Sequence, residues 1–455
     1  MKVYTSVLDM VGNTPMLELS QFDTGPCRLF LKLELQNPGG SIKDRIGVSM
    51  IEEAERRGDI KPGDTLVEAT AGNTGLGLAL AAARKGYHLV LVLPDKMSQE
   101  KIFNLRAMGA EVVLTRSDVG RGHPEYYQDL GKAIAEERGA YFINQFNNPD
   151  NPLAHERTTA PEILDQLDGN VDAVVVGVGS SGTVSGMSRY FSEHAPNLRI
   201  ILADPEGSIL ADYINKGTMG ESGGWLVEGI GEDFIPDIAD FSMVHKAYSV
   251  SDAESFDAAR ELLRREGLLA GSSSGTLLNA ALKYCREQTE PQNVVAFACD
   301  TGNKYLSKLY NDFWMEDQGF IERPQFGDLR DLIGRLHGER ATITVGPNDV
   351  LTTAHNRLRN AGVSQLPVMD EGRLVGVLTE DDIIRKAFGC PECLHDPVAT
   401  AMQEHFVQLD PQTTVNNLVA LLQVQPFAAV TENDEFFGLI TRADVLNHLR
   451  KQMGP

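Results

Sequence analysis

Short apolar runs alternate with segments of helical periodicity from the start of the chain to about residue 310. The runs at 89–93, 173–176 and 294–298 contain no polar alternation, which indicates strands that are covered on both faces. A helical pattern at 74–85 precedes the first of them. Buried strands interleaved with helices predict an α/β fold with a largely parallel sheet, and ligands bind such folds beyond the carboxyl ends of the strands.

The alternation of apolar runs and helical segments ends beyond Asp312. A charged segment at 319–340 has weak strand signals and indicates a linker with one short helix. An internal repeat follows, because GVLTEDDI at 376–383 matches GLITRADV at 438–445. A chain of 455 residues can hold about three domains. We therefore predict a large α/β body at 1–315, a linker at 316–338 and two copies of a small β-α module at 339–392 and 393–455.

The charge and the hydropathy of the chain exclude two classes of partner. The chain has 41 Lys and Arg against 64 Asp and Glu, a net charge of −23, which repels the phosphates of nucleic acids and anionic lipid headgroups. Its apolar runs are shorter than the roughly 20 residues that a membrane-spanning helix needs. Residues 1–15 lack the features of a secretory signal. We expect a cytoplasmic protein with no nucleic-acid partner and no membrane segment.

The cysteines form an odd, sparse set of five, which favours reduced thiols over a disulfide framework. Cys390 and Cys393, with His395 nearby, could form half a zinc site, but no second Cys-x-x-Cys pair accompanies them. We expect bare, reduced thiols at this pair and no metal site.

A turn-rich segment, NPGGSIKDR at 37–45, carries Lys43 directly into a predicted helix. Enclosure in a pocket would disfavour the ammonium form of this lysine, and a neutral amine can form a Schiff base with an aldehyde cofactor. The alternative is a solvated lysine at a helix start, where the positive end of the helix dipole makes it slightly unfavourable. The residues themselves leave both interpretations open.

Two further glycine-rich turns each follow a strand and open a helix. In EATAGNTG at 68–75, main-chain N–H groups, threonine hydroxyls and the Asn amide could receive a small carboxylate, although a simple capping turn fits equally well. In GVGSSGT at 177–183, glycines let the backbone approach a ligand, and Ser180 and Thr183 could hold a phosphate. This turn lacks the P-loop lysine and is not a full GxGxxG, so a phosphate monoester fits it better than a nucleoside triphosphate or a dinucleotide.

A fourth turn, GSSSG at 271–275, also precedes a helix, and one of its hydroxyls could meet a ring nitrogen, although such clusters more often cap helices. Together the four segments offer an amine for an aldehyde, a carboxylate loop, a phosphate loop and a hydroxyl donor. Pyridoxal phosphate with an amino-acid substrate needs that combination.

The order and spacing of these motifs resemble those of the fold type II pyridoxal-phosphate enzymes, the cysteine synthase and cystathionine β-synthase group. The resemblance covers residues 1 to about 315 and includes GNTP at 12–15, NQFNNPDNPLAH at 144–155 and EGIGEDFIP at 228–236. The two repeats resemble the paired regulatory modules, called CBS domains, that follow the catalytic domain in cystathionine β-synthases. The resemblance implies a catalytic domain of two α/β subdomains with parallel-rich sheets, followed by a tandem CBS module.

The resemblance also implies a role for each motif. Lys43 would carry the internal aldimine and move the α-proton of the substrate, Asn73 would hydrogen-bond the cofactor's ring oxygen, and Ser273 would face its pyridine nitrogen. The residues implied to bind the cofactor phosphate are Gly179, Ser180, Ser181, Gly182 and Thr183. Those implied to enclose the substrate carboxylate are Thr70, Ala71, Gly72, Thr74 and Gln145. Because a serine hydroxyl is a poor proton source for the ring nitrogen, β-elimination is favoured over deeper carbanion chemistry.

The implied reaction is a β-replacement, in which L-serine loses its β-hydroxyl to give an aminoacrylate, L-homocysteine thiolate adds, and cystathionine leaves. A cysteine synthase that uses O-acetylserine, or serine, and sulfide needs the same aminoacrylate and stays open as an alternative. A ligand sensor with CBS domains and an inactive enzyme body is an alternative of another class. The family also implies a homodimer or a higher homo-oligomer.

Three features depart from the family pattern. Ala71 stands where many relatives carry serine, so one side-chain hydrogen bond to the substrate is missing. Glu232 occupies the position that tyrosine holds in eukaryotic cystathionine synthases, which leaves the handling of homocysteine open. The chain begins at the pyridoxal core without the haem-binding extension of animal enzymes, so we expect no haem. His155, within the 144–155 motif, is expected to be a hydrogen-bonded structural histidine.

In the repeats, Thr379 with Asp382 and Thr441 with Asp444 fit the family pattern in which the hydroxyl approaches a phosphate and the carboxylate takes ribose hydroxyls. The resemblance implies a site for an adenosyl or adenine-nucleotide effector. The alternative that such pairs act only in oligomer assembly stays open.

Overall fold

The computed structural model describes residues 3–452 except 71, 96, 98 and 340. The chain divides into two compact units, Met1–Tyr310 and Asn311–Pro455. Within the described range, none of the helices is both long and apolar enough to span a lipid bilayer.

The first unit alternates strands and helices, as the pattern of apolar runs predicts. Its strands are β1 (Met16–Glu18), β2 (Arg28–Lys32), β3 (Thr65–Ala69), β4 (His88–Pro94), β5 (Glu111–Thr115), β6 (Tyr141–Phe142), β7 (Ala173–Gly177), β8 (Arg199–Pro205), β9 (Val244–Val250) and β10 (Asn293–Phe297). Its helices are α1 (Lys43–Arg57), α2 (Asn73–Lys85), α3 (Gln99–Ala107), α4 (Tyr127–Arg138), α5 (Asp150–Ala154), α6 (Ala160–Gln166), α7 (Gly182–His194), α8 (Leu210–Lys216), α9 (Asp252–Glu266) and α10 (Ser272–Arg286). A π-helical turn, His155–Thr159, joins α5 to α6.

Two sheets organise this unit. One has the order β1-β2-β10-β7-β8-β9 and the other the order β5-β4-β3-β6. The paired strands are parallel except β1, which runs antiparallel to β2 at the edge of the larger sheet. The predicted α/β fold with largely parallel sheets is therefore confirmed.

Helices α1 and α2 pack at very short range. A Cβ atom added at Gly47 of α1 would lie 2.4 Å from the carbonyl carbon of Gly77, and one added at Gly77 of α2 would lie 2.5 Å from the carbonyl oxygen of Lys43. The two glycines therefore let the backbones approach without side chains between them. This contact fixes the N-terminus of α1, which carries Lys43, against the first turns of α2.

The second unit contains two similar halves. Its elements are α11 (Asp312–Asp317), α12 (Leu351–Ala361), β11 (Gln365–Asp370), β12 (Arg373–Thr379), α13 (Glu380–Ala387), β13 (Gln408–Leu409), α14 (Val415–Leu422), β14 (Phe427–Glu432), β15 (Glu435–Thr441) and α15 (Arg442–Gln452). Each half has an antiparallel hairpin, β11 with β12 and β14 with β15, and a helix follows each hairpin directly. The internal repeat thus corresponds to a repeated β-β-α unit.

Part of the segment that the sequence indicates as a linker packs into the second half. Leu329, Leu332, Ile333 and Leu336 are buried in one cluster with residues of α14, β14 and β15. A single 3₁₀ turn, Leu329–Leu332, is the short helix of this segment. Residues 329–336 therefore contribute to a core of the second unit.

The structure corrects the prediction of reduced thiols at Cys390 and Cys393, because their sulfur atoms form a disulfide. The 3₁₀ turn Pro391–His395 brings the two Cα atoms to 5.4 Å, within the usual span of a disulfide. Cys27, Cys285 and Cys299 carry free thiols. Among the residues that the structure describes, no group of three or more His, Cys, Asp or Glu side chains could hold a metal ion.

Candidate active site

Loops that follow strands of the two sheets and the starts of two helices line one cavity of about 560 Å³. Its walls come from the residues after β3, β7 and β10 and from the start of α1 and α10. The residues singled out in the sequence that line it are Lys43, Thr70, Gly72, Asn73, Thr74, Gln145, Gly179, Ser180, Thr183 and Ser273. The structure therefore brings the four glycine-rich or serine-rich turns together at the carboxyl ends of parallel strands.

Lys43 is the first residue of α1, and its side chain faces the cavity. Burial lowers the pKa of Lys43, while Cys299, Asp300 and Glu232 oppose the change. A lowered pKa favours the neutral amine, which is the nucleophilic form. Its place in the cavity favours the pocket interpretation of this lysine over the solvated one.

A buried ion-pair network holds the start of α1. Arg45 lies 2.7 Å from carboxylate oxygens of both Glu34 and Glu162, and the ammonium of Lys32 lies 2.7 Å from Glu162. Glu34 also accepts a hydrogen bond from the amide of Asn37, the first residue of the NPGGS turn. The network thus ties the turn before Lys43 to the helix after it.

Asn73 is the first residue of α2, and both the nitrogen and the oxygen of its side-chain amide form hydrogen bonds. Its Nδ2 donates to Asp300 Oδ2 (2.8 Å), and Lys304 Nζ donates to its Oδ1 (2.9 Å). Lys304 Nζ also lies 3.2 Å from the carbonyl oxygen of Gly39. The amide keeps one N–H for a ligand, because it has two donors and one is used. Asp300 and Lys304 were missed in the sequence, although their segment CDTGNK follows an apolar run as the recognised motifs do.

The loop after β3 presents hydroxyls and an amide to the cavity. The Gly72 N–H donates to Thr70 Oγ1 (3.2 Å), and Thr74 Oγ1 donates to Gln145 Oε1 (2.7 Å). Gln145 Nε2 in turn donates to the main-chain carbonyl oxygen of Ala69 (3.5 Å). This arrangement beside the N-terminus of α2 suits a small carboxylate. Ala71 lies outside the described residues.

The loop after β7 forms an anion cradle at the N-terminus of α7. Ser181 adopts the left-handed conformation at φ 65°, which turns the chain into the helix that begins at Gly182. Asn151 Nδ2 donates to Ser180 Oγ (2.9 Å), while Asn151 Oδ1 is buried without a partner among the described residues. A Cβ atom added at Gly182 would lie 1.8 Å from that oxygen. Free N–H groups and the positive end of the helix dipole make such a turn fit for a phosphate.

His155 supports this cradle from behind. Its Nδ1 lies 2.9 Å from Thr159 Oγ1, and its Nε2 lies 3.3 Å from Thr183 Oγ1. Burial, with Lys43 and Arg45 nearby, holds the pKa of His155 well below its ordinary value. His155 is therefore a neutral, hydrogen-bonded histidine, as its place in the 144–155 motif predicts.

The three serines of the 271–275 turn have different surroundings. Ser272 Oγ accepts from the N–H of Glu228 (3.1 Å), and Ser274 Oγ accepts from the N–H of Cys299 (2.9 Å). Ser273 lines the cavity instead. The helix cap is Gly271, and no side chain among the described residues caps α10. A plain capping cluster is therefore excluded, and Ser273 is the serine that can meet a ligand.

In the second unit, each Thr–Asp pair forms a local cap. Thr379 Oγ1 and the carboxylate of Asp382 lie 2.6 Å apart, and Gln403 Nε2 donates to the same carboxylate. Thr441 Oγ1 and Asp444 repeat the 2.6 Å contact. Both pairs stand at the N-terminus of the helix after a hairpin, where capping by itself accounts for the pattern.

Comparisons with known proteins agree with this geometry. Residues 7–300 match the family of pyridoxal-phosphate dependent enzymes, and residues 339–389 and 398–451 match the CBS domain. The cystathionine β-synthase of Dictyostelium discoideum is 36% identical over 99% of this chain and 93% of its own. The cystathionine β-synthase of Saccharomyces cerevisiae is 35% identical over 98% of this chain and 97% of its own.

A solved structure is similar to about two thirds of the chain. The O-acetylserine-dependent cystathionine β-synthase from Helicobacter pylori is 39% identical and superposes with a TM-score of 0.63 over 68% of this chain and 99% of that one. Family matches and full-length relatives lead to one conclusion: the chain belongs to the cystathionine β-synthase family of pyridoxal-phosphate-dependent enzymes.

Proposed function

We propose that this protein condenses L-serine with L-homocysteine to give cystathionine and water, with pyridoxal phosphate bound in the cavity. One observation carries the proposal: Lys43, with its lowered pKa, shares a cavity with both the anion cradle after β7 and the carboxylate loop after β3. When bound, pyridoxal phosphate supplies an electron sink that acidifies the α-proton of an amino acid. An amine, a phosphate site and a carboxylate site in one cavity are what this chemistry requires.

The roles proposed for the residues follow from their positions. Lys43 Nζ would hold the cofactor at its aldehyde carbon and would move the proton at the substrate Cα. Asn73 orients the ring through its remaining N–H, and Ser273 faces the ring nitrogen. The residues proposed for the phosphate are Gly179, Ser180, Ser181, Gly182 and Thr183. Those proposed for the substrate carboxylate are Thr70, Gly72, Thr74 and Gln145, with Ala71 assigned from the sequence alone.

Substrate choice separates the two candidate enzyme functions. The structural neighbour from Helicobacter pylori is named for its dependence on O-acetylserine, and this favours O-acetylserine as a second candidate substrate here. Products should be quantified by mass spectrometry for serine with homocysteine, beside O-acetylserine with homocysteine and O-acetylserine with sulfide. We expect cystathionine from the first pair. Cysteine from the third pair, with no cystathionine from the first, would refute the proposal.

Borohydride labelling tests the covalent step directly. Reduction should bleach the cofactor absorbance of the purified holoprotein and leave a pyridoxyl label on the peptide that contains Lys43. Lys43→Ala should abolish both the label and turnover. A sensor with an inactive enzyme body would show neither labelling nor product in the unmodified chain.

We infer that the two repeats bind an adenosyl or adenine-nucleotide effector near Asp382 and Asp444. We propose that the repeats form modules at 339–392 and 393–455, and that a linker at 316–338 joins them to a catalytic domain at 1–315. The match to the CBS domain supports this inference. AMP, ATP and S-adenosylmethionine should be screened for a shift in melting temperature. Asp382→Ala with Asp444→Ala should abolish any shift, and an unchanged shift would contradict this placement of the site.

We also propose a homodimer or a higher homo-oligomer. The monomer mass is 49.7 kDa, so light scattering on the eluting protein should give at least twice that value.

A further inference from the structure

Glu232 stands on the wall of the cavity and plays no part in the function proposed so far. It lies in the segment between α8 and β9, and its side chain lines the cavity with Lys43. Ser208 and Ile209 fix its backbone: its N–H donates to Ser208 Oγ (3.0 Å), and its carbonyl accepts from the N–H of Ile209 (3.1 Å). A Cβ atom added at Gly179 would lie 3.8 Å from Glu232 Oε1, so the carboxyl group sits beside the anion cradle.

The carboxyl group of Glu232 is available to a ligand. Its side chain accepts no hydrogen bond from any residue that the structure describes, while its main chain is anchored on both sides. Burial, with Asp233 and Asp204 nearby, raises the pKa of Glu232 to about 8, and Lys43 opposes this rise. Such a carboxyl group can donate a proton and take one back near neutral pH.

Four other titratable groups on the cavity wall are less suited to proton transfer. Burial raises the pKa of both Tyr126 and Tyr127 above the ordinary phenol value, so neither phenol is a base near neutral pH. Lys101 and Lys308 both form ion pairs with the carboxylate of Glu228. Glu232 is therefore better suited to proton transfer than these four groups.

The proposed reaction needs proton transfers that Lys43 does not cover. The β-hydroxyl of serine is a poor leaving group unless it is protonated, and the thiol of homocysteine must lose its proton to attack Cβ. Lys43 is engaged with the proton at Cα during both events. A second group that first gives a proton and then takes one would return to its starting state after each turnover.

We propose that Glu232 is this second group, acting as general acid on the β-oxygen of serine and then as general base on the sulfur of homocysteine. This inference rests on the proposed function. As the Cβ–O bond breaks, the carboxyl proton moves to the oxygen, which leaves as water. As the S–Cβ bond forms, the resulting carboxylate takes the thiol proton, so the carboxyl group is restored and the overall reaction is balanced.

The test removes the need for each proton transfer in turn. Acetate leaves O-acetylserine without prior protonation, and 2-nitro-5-thiobenzoate attacks as a thiolate that needs no base. With serine and homocysteine, Glu232→Gln should lower kcat about 10²–10⁴-fold. With O-acetylserine and 2-nitro-5-thiobenzoate it should stay within a few-fold of the unmodified enzyme. The two mixed pairs should show intermediate losses.

Two controls separate chemistry from structure. Glu221→Gln makes the same change at an exposed position and should leave all four substrate pairs unaffected. Binding of L-alanine, which has no β-leaving group, should be measured by calorimetry, and Glu232→Gln should not weaken it. Should Glu232→Gln fail to fold, Glu232→Asp retains the carboxyl group and should show a partial loss with the same order of substrate pairs.

The outcomes separate this inference from the function on which it rests. Equal losses with all four pairs, or weaker L-alanine binding, would assign Glu232 a structural role and overturn the inference. Full activity of Glu232→Gln with serine and homocysteine would also overturn it. If the unmodified enzyme makes no cystathionine from serine, the proposed function fails, and the comparison of homocysteine with 2-nitro-5-thiobenzoate on O-acetylserine still decides the role of Glu232 as a base.

Discussion

Arg45, two residues after Lys43, is a cation with almost no solvent contact. Its side chain is 2% exposed and that of Glu34 is 0% exposed, so both charges depend on buried partners in place of solvent. Although burial opposes it, Arg45 holds the pKa of Glu34 below its usual value. Removal of Glu34 would leave Arg45 and Lys32 to share the single carboxylate of Glu162, so one buried positive charge would lose its compensation, which is costly.

Glu34→Ala should therefore lower the free energy of unfolding by about 3–5 kcal/mol. Urea denaturation of the protein would measure this loss. Because the network also holds the turn before Lys43, the affinity for pyridoxal phosphate should fall as well. Glu18→Ala, which breaks the exposed pair with Arg28, is the matched control and should change little. Similar losses in both variants would contradict the importance of burial at Glu34.

Glu68, at the end of β3, gives a prediction on pH. Burial raises the pKa of Glu68 from 4.5 to about 8, against hydrogen bonds from Gln145 and Asn144. Between these two values the folded protein holds a proton that the unfolded chain has lost, so this group makes stability fall as pH rises. Below pH 4.5 its contribution is fully present, and above pH 8 it has been lost.

Glu68→Gln should remove this dependence. The melting temperature of the unmodified apoprotein, relative to that of Glu68→Gln, should drop steadily from pH 5 to pH 8. The corresponding loss in the free energy of unfolding has a limit of about 1.4 kcal/mol for each pH unit. Parallel melting curves of the two proteins over this range would show that Glu68 is ionised in the fold.

At the scale of elements, the contact of α1 with α2 decides where two ligand-binding residues stand. At both Gly47 and Gly77, the atom nearest to an added Cβ is a backbone atom, 2.4–2.5 Å away. No flexible side chain could move aside to make room for it. The helices would have to separate, and Lys43 and Asn73 lie at their N-termini.

Gly77→Ala should therefore destabilise the protein by about 1–3 kcal/mol and weaken the binding of pyridoxal phosphate. Calorimetric melting and cofactor titration would measure the two effects. Gly338→Ala serves as the control, because a Cβ atom at Gly338 would meet nothing within 4 Å. Unchanged cofactor affinity in Gly77→Ala would mean that α2 does not position Asn73.

The sequence predicts these elements well where the signal is local. The unbroken apolar run at 173–176 and the glycines after it suffice to locate β7 and its turn into α7. Asp300 and Lys304 were not predicted as site residues, because their contact with Asn73 depends on the order of the strands in the sheet. Strand β10 lies between β2 and β7, and no local sequence pattern encodes that order. The buried leucines at 329–336 carried a usable signal, since their spacing of three and four residues is typical of a packed face.

At the scale of the whole molecule, each unit has hydrophobic clusters built from its own residues. Leu66, Leu78 and Leu91 belong to a cluster of the first unit, and Leu358 and Leu378 to one of the second. The internal repeat indicated the second unit, and the change in the sequence beyond Asp312 predicted that the first would end near residue 315. The structure divides the chain after Tyr310, and that division can be tested.

A chain shortened to residues 1–310 should fold and keep its β-replacement activity within a few-fold, because every motif that lines the cavity lies in that range. Any response to an adenine-nucleotide effector should disappear, since the two CBS-domain matches begin at residue 339. Steady-state rates with and without the effector, on the full-length and shortened chains, measure both expectations. A shortened chain that binds pyridoxal phosphate and melts cooperatively, yet has lost turnover, would show that the second unit contributes to catalysis itself and is not confined to regulating it.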